Sequence, residues 1–284
     1  MIAEFILSWQ LFKYTYLAGW SIGLLLSLLG VLIVARDQIF IGAAISQASA
    51  LGISLALAVL PLISGIVPQY SHEYLVVVMA VIFSIAASWF TSNKNLAADS
   101  HEAVTGFVFL ACSSLSVILV SKSPHGMEEI NRLLSSSIIG ATIGDVTCFT
   151  ALFFITAGAL FFLWRQFTLL AIDQEMAFSI GIPAALYNTL FSAWLGLSLG
   201  LSIRVSGMLF VFGGLVLPAL AAKNISRDIE RMFILSPVIS LISNIFAFIF
   251  ANYYDYPPAQ ISVAFLSFVL MAAWFVKAFR RGRG

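Results

Sequence analysis

Residues 171–182 read AIDQEMAFSIGI, with Asp173, Gln174 and Glu175 in consecutive positions. An apolar run ends at Trp164 before this stretch, and another starts near Ala185 after it. A segment this polar, in a chain this apolar, must leave the hydrocarbon. Asp173 can cap a helix, and Glu175 suits a first helical turn, where the backbone dipole is positive. Gly181 followed by Pro183 is a stop signal. The stretch therefore predicts a short helix lying outside the bilayer between two spans. A plain connecting loop is the alternative, but it would need no start, body and stop. Short helices of this kind can pass motion from a soluble motor to a membrane domain.

The flanks define the class. The chain has 284 residues, of which 61% are hydrophobic and 10% charged. A soluble domain carries about 25% charged residues, so this is an integral membrane protein. A spanning helix needs about 20 mostly apolar residues. Apolar runs with plausible ends lie at 11–35, 41–62, 74–92, 104–121, 145–164, 185–203, 206–222, 231–252 and 259–279. The expectation is an all-α polytopic helical bundle of eight or nine transmembrane helices, forming one domain over residues 1–284. The two runs between 185 and 222 are short, so one of them is expected to be broken or re-entrant. The first ten residues carry no basic n-region or small-residue cleavage site, so no removable signal peptide is expected.

Basic residues orient the bundle. If the turn at Arg36–Gln38 is cytoplasmic and the spans alternate, Arg36, Lys94, Arg165, Lys223, Arg227, Arg231, Lys277, Arg280, Arg281 and Arg283 fall inside. Lys13, Lys122, Arg132 and Arg204 fall outside. This bias predicts the N-terminus outside and the C-terminus inside, and it puts residues 171–182 on the cytoplasmic side. Trp9, Tyr14, Tyr70, Tyr74, Tyr253, Tyr254 and Tyr256 fall near the predicted outer ends. The outer loop at 121–144 could hold an amphipathic interfacial helix. A net charge of +1 implies no bulk attraction to nucleic acid. Cys112 and Cys148 show no metal or redox spacing and read as inert thiols.

The second span opens with GAAISQASALGIS, residues 42–54. Gly42, Ser46, Ala50 and Ser54 form one small-residue ridge at helical spacing; Ala44, Ala48, Gly52 and Ala56 form another. Tight helix packing is the simplest reading. The functional reading is a pore-lining helix, with Ser46, Gln47 and Ser49 as a polar wall. Ionisable residues at membrane depth are functional suspects, and here they are scarce. Asp99, His101 and Glu102 stand at the start of the fourth span, where capping outranks ligation, and Asp145 opens the fifth. The spacings Gly140-x-x-x-Gly144 and Gly196-x-x-x-Gly200 suit close packing. No GxxxxGK[ST] loop and no HExxH motif occurs, so neither ATP binding by that loop nor an intramembrane zinc protease is indicated.

Three segments in order resemble one family. They are LLSSSIIGATIGDV, IDQEMAFSIGIP and SIRVSGMLFVFGGLVLPALAAKNIS. Together they are similar to the permease subunits of ABC importers for divalent metals such as zinc, manganese and iron. The matching positions are Ile139-Gly140 through Asp145; Asp173, Glu175, Ala177 and Gly181; and Val205, Gly207, Leu215, Leu217, Pro218, Ala219 and Ala221. The resemblance runs from about Gly19 to Phe265. One departure stands out: the family's second-span motif carries a metal-facing Asp and His, and here those positions are Ala43 and Gln47. The resemblance thus implies no metal ligand at that place, while Ala43, Ser46, Gln47 and Ser49 remain the candidate path.

The resemblance further implies that Asp173, Gln174, Glu175, Ala177 and Gly181 form the helix, near 172–182, that couples to a separate ATPase. ATP and magnesium would sit on that partner, with no cofactor on this chain and a divalent metal as cargo. It also implies an extracytoplasmic binding protein, a homodimer or heterodimer of permeases, and residence in the bacterial inner membrane. Rival readings are a permease of the same fold for another cargo, a secondary transporter, a membrane enzyme, and a scaffold that recruits a soluble partner.

Overall fold

The computed structural model describes residues 2–63, 71–92, 100–121, 138–172, 174–226 and 228–281. Among these residues all regular structure is helical. Eleven helices follow in order: α1 Ile2–Ala35, α2 Ile41–Ile63, α3 Ser71–Ser92, α4 His101–Ser121, α5 Ile143–Phe162, α6 Trp164–Ile172, α7 Gln174–Ser179, α8 Ala184–Ser206, α9 Met208–Ile225, α10 Ile229–Tyr254 and α11 Pro258–Arg281. Nine of them are long and apolar enough to cross a membrane, and each coincides with one expected run. The expected weak pair is corrected: α8 has 23 residues and α9 has 18, both continuous. The break between them is Gly207 alone, with φ 78° and ψ 162°. That backbone region is essentially open to glycine only. The loop at 121–144 lies largely outside the described residues, as does Asp99.

The chain folds as two compact units built from interleaved segments. The first comprises residues 1–37, 137–182 and 209–284; the second comprises 38–136 and 183–208. In the first unit, α10 lies along α1 and donates side-chain hydrogen bonds to its backbone. Ser240 Oγ donates to the Gly23 carbonyl at 2.9 Å, and Ser236 Oγ to the Ser27 carbonyl at 3.0 Å. Between apolar helices, such bonds and close packing replace the hydrophobic drive that water would supply. α5 joins the same seam, with Ser21 Oγ and Thr150 Oγ1 3.0 Å apart.

One end of this unit gathers cations. Lys223 Nζ donates to Asp37 Oδ1 at 2.8 Å and to the Val34 carbonyl at 3.2 Å, tying the C-terminal ends of α9 and α1 together. Lys277 Nζ donates to Asn224 Oδ1 at 2.8 Å and brings in α11. Trp164 packs edge-on against Phe233, with ring centroids 4.9 Å apart, so the α5–α6 junction belongs to the same end. Burial pushes the Arg36 guanidinium down to about 10, so it stays a cation at neutral pH. At the other end Tyr16 Oη donates to Asn252 Oδ1 at 3.1 Å, near Tyr253, Tyr254 and Tyr256. Arg36, Arg165, Lys223, Arg231 and Lys277 thus stand opposite an aromatic cluster that includes Trp9.

The second unit holds α2, α3, α4 and α8. Its helices approach through small residues. At Gly196 a Cβ would lie 2.6 Å from the Ile85 Cα, and at Gly200 one would lie 3.1 Å from the Val81 Cα. The expected packing role of Gly196-x-x-x-Gly200 is therefore met, with α3 as the partner. Gly140-x-x-x-Gly144 differs, because a Cβ at Gly140 would meet nothing within 4 Å. Both α2 ridges are buried, and Ser54 Oγ shares a 2.7 Å hydrogen bond with Ser116 Oγ of α4.

Candidate functional site

The sequence-predicted candidate residues fall in two places, one in each unit. In the second unit the place is the first half of α2. Of residues 41–54, all are buried except Ala43 and Gln47. These two are four positions apart and so share one helix face. Ser46 and Ser49 are both 0% exposed and point into the bundle. Ser46 Oγ donates to the Gly42 carbonyl at 2.7 Å, which occupies its proton. The accessible face is therefore Ala43 with Gln47, and the serines stand behind it. Gln47 Nε2 donates to Met208 Sδ at 3.2 Å. Met208 is 8% exposed and opens α9 just after Gly207.

In the first unit the place is α7. Its six residues, Gln174–Ser179, form the short helix the sequence predicts. The helix ends as expected at Gly181, which has φ 84°. The Ile182 N–H donates to the Ala177 carbonyl at 3.1 Å, the six-to-one bond of a glycine-terminated helix. Ala177 is fully buried, while Met176 is 53% and Ile180 62% exposed. α7 thus anchors by a small residue and presents apolar groups outward. Asp173 and the side chains of Gln174 and Glu175 lie outside the described residues. α7 begins ten residues beyond Trp164, which stands at the cationic end.

Asp145 and His101, two of the other ionisable suspects, have local partners. Thr142 caps α5, and Asp145 closes a reciprocal capping box: its Oδ2 accepts from the Thr142 N–H at 2.8 Å. Ser100 Oγ accepts from the Ala103 N–H at 3.3 Å at the start of α4. His101 Nδ1 lies 3.1 Å from the Thr91 carbonyl and ties α4 to the end of α3. Among the described residues no three His, Cys, Asp or Glu side chains cluster to hold a metal ion. Sequence reasoning missed Met208 as the partner of Gln47, because nothing in a linear pattern pairs residues so far apart.

Nine helices long and apolar enough to span a membrane, joined within each unit by buried polar and small-residue contacts, define a multi-pass membrane protein among the described residues. The comparisons place it further. Residues 8–277 match the ABC 3 transport family, and the chain belongs to that family. It is similar to the high-affinity zinc uptake system membrane protein ZnuB of Haemophilus influenzae, at 26% identity over 257 residues, covering 89% of this chain and 94% of that one. It is also similar to the manganese transport system membrane protein MntC of Halalkalibacterium halodurans, at 25% identity over 277 residues, covering 94% and 89%. In fold it matches a chain of PsaBC from Streptococcus pneumoniae, solved in complex with Fab, with TM-score 0.81, 18% identity and full coverage of both chains. The chain is thus a multi-pass permease of the plasma membrane.

Proposed function

We propose that this chain is the permease subunit of an ATP-driven importer of divalent metal ions, zinc or manganese foremost. The observation that carries this reading is the near full-length similarity to permeases named for zinc uptake and manganese transport. A separate ATPase binds α7, whose exposed Met176 and Ile180 offer apolar contacts beside the acidic Asp173 and Glu175. ATP and magnesium belong to that subunit. An extracytoplasmic binding protein delivers the ion, and two permease chains, identical or not, form the path. ATPase closure then rocks the helices between outward and inward access.

The clustering of Arg36, Arg165, Lys223, Arg231 and Lys277 at one end supports a cytoplasmic placement of that end, with the N-terminus outside and the C-terminus inside. A single permease domain over residues 1–284 agrees with the family match over residues 8–277. The neutral pair Ala43 and Gln47 favours one alternative, the same fold with another cargo. Uptake by proteoliposomes holding the permease, its ATPase and its binding protein tests the proposal. Zinc or manganese should enter only with ATP, and Glu175→Lys should abolish entry while leaving the protein inserted. Uptake driven by an ion gradient without ATP, or normal uptake by Glu175→Lys, would refute it.

A further inference from the structure

The chain passes between its two units four times, after residues 37, 136, 182 and 208. Five described residues have positive φ: Asp37, Gly140, Gly181, Gly207 and Asp255. The first four stand one at each passage, never more than four positions away. Glycine takes either sign of φ at little steric cost, so three of the passages have a soft backbone. At Gly140 and Gly181 an added Cβ would meet nothing within 4 Å. Close packing therefore does not require those two glycines, and conformational freedom does. Hinges are a few such loop or terminal residues that absorb changes in φ and ψ. α7 ends at Ser179, two positions before Gly181, so force applied to α7 reaches one of them directly.

The passage after residue 37 is different. Asp37 has φ 53°, a left-handed conformation that glycine takes freely and a side chain disfavours. Residues held this way persist where their surroundings fix them, and they gather at switch regions. Here Lys223 fixes the residue. Its Nζ donates to Asp37 Oδ1 at 2.8 Å and to the Val34 carbonyl at 3.2 Å. The Asp37 N–H donates to that same carbonyl at 3.3 Å. One lysine of α9 thus clasps the last turn of α1 and the residue at which the chain leaves the first unit. The pair is exposed enough to be screened by water and salt, so it contributes little to stability. We propose that Asp37 is a positioning residue, held by Lys223 so that the turn into α2 stays stiff while the units shift about Gly140, Gly181 and Gly207 during transport. This rests on the metal-permease reading. With the clasp open, ATP is hydrolysed without α2 following.

The experiment uses the complete transporter in proteoliposomes and records uptake of zinc and manganese alongside ATP hydrolysis. Asp37→Gly suits φ 53° and removes the carboxylate. If Asp37 only ends α1, glycine should serve as well or better. The clasp predicts the opposite for transport: an unchanged ATPase rate, with metal moved per ATP down at least about fivefold, the low end of coupling between sites. Lys223→Met should do the same, and Lys223→Arg should keep the wild-type ratio. The double variant Asp37→Gly/Lys223→Met should be no worse than either single one. A wild-type ratio in Asp37→Gly, or a double variant in which the two losses multiply, overturns the proposal. If Asp37→Gly does not elute as wild type, Asp37→Asn replaces it under the same criterion, since asparagine also tolerates this conformation. Spin-label pairs report the hinges. Distances within a unit should stay fixed between the nucleotide-free and ATP-trapped states, and distances from one unit to the other should change. Fixed distances between units, or changes within them, overturn the hinges. A wild type that hydrolyses ATP yet moves neither ion refutes the metal-permease reading itself, a result distinct from any variant ratio.

Discussion

Gly196→Ala should loosen the second unit, and the structure sets the size of the effect. A Cβ on Gly196 would lie 2.6 Å from the Ile85 Cα and 2.7 Å from the Ser84 carbonyl oxygen. Carbon contacts are most favourable near 3.5–4.0 Å, so α3 and α8 must separate by about 1 Å. Both opposing atoms are backbone, so no rotamer change relieves the clash. Overpacking of this kind costs about 1–3 kcal/mol. Alanine returns up to about 1 kcal/mol through its better helix propensity. Gly158 of α5 isolates that second effect, because a Cβ there meets nothing within 4 Å. Gly196→Ala should therefore be less stable than Gly158→Ala by about 1–3 kcal/mol. At roughly 2–4 °C per kcal/mol for a chain of this size, the gap is about 2–12 °C. The assay is the temperature at which half of the detergent-purified protein survives as a monodisperse peak after heating at a fixed rate. A Gly196→Ala midpoint equal to or above that of Gly158→Ala refutes the reading that α3 and α8 touch through backbone.

Asp145→Ala should lower the same midpoint by about 2–4 °C, because loss of a helix cap costs about 1 kcal/mol. Metal uptake by that variant should persist; its abolition would make Asp145 a cargo contact instead of a cap. Ser54→Ala and Ser116→Ala should couple in a double-mutant cycle by about 0.6 kcal/mol, the average for hydrogen bonds between membrane helices. Strict additivity would show that the 2.7 Å contact contributes nothing. Asp37→Asn should cost less than about 1 kcal/mol, because the Lys223–Asp37 pair is 42% and 79% exposed. The cost should shrink further at high salt, and a large, salt-independent loss would contradict the surface placement of this pair.

What could be read from the chain follows from the range of each interaction. Span positions depend on local composition, and all nine expected runs became helices. The end of α7 was equally legible, because Gly181 terminates a helix through bonds only five residues apart. The run of ten basic residues on one predicted side was a global count, yet it anticipated that Arg36, Lys223 and Lys277 would stand at one end. What the sequence left open is direction. Ser46, Gln47 and Ser49 are neighbours in sequence, and composition makes all three a plausible polar wall. Only the placement of the surrounding helices decides which of them stays accessible. Both serines turn inward, where Ser46 bonds the Gly42 carbonyl, while Gln47, about 100° from Ser46 around the helix, reaches the sulfur of Met208. Asp145 was open in the same way, since a carboxylate at a span entrance looks identical in sequence whether it meets an ion or the backbone of Thr142. A pattern of residue types assigns chemistry to a helix, but only packing assigns it to a face.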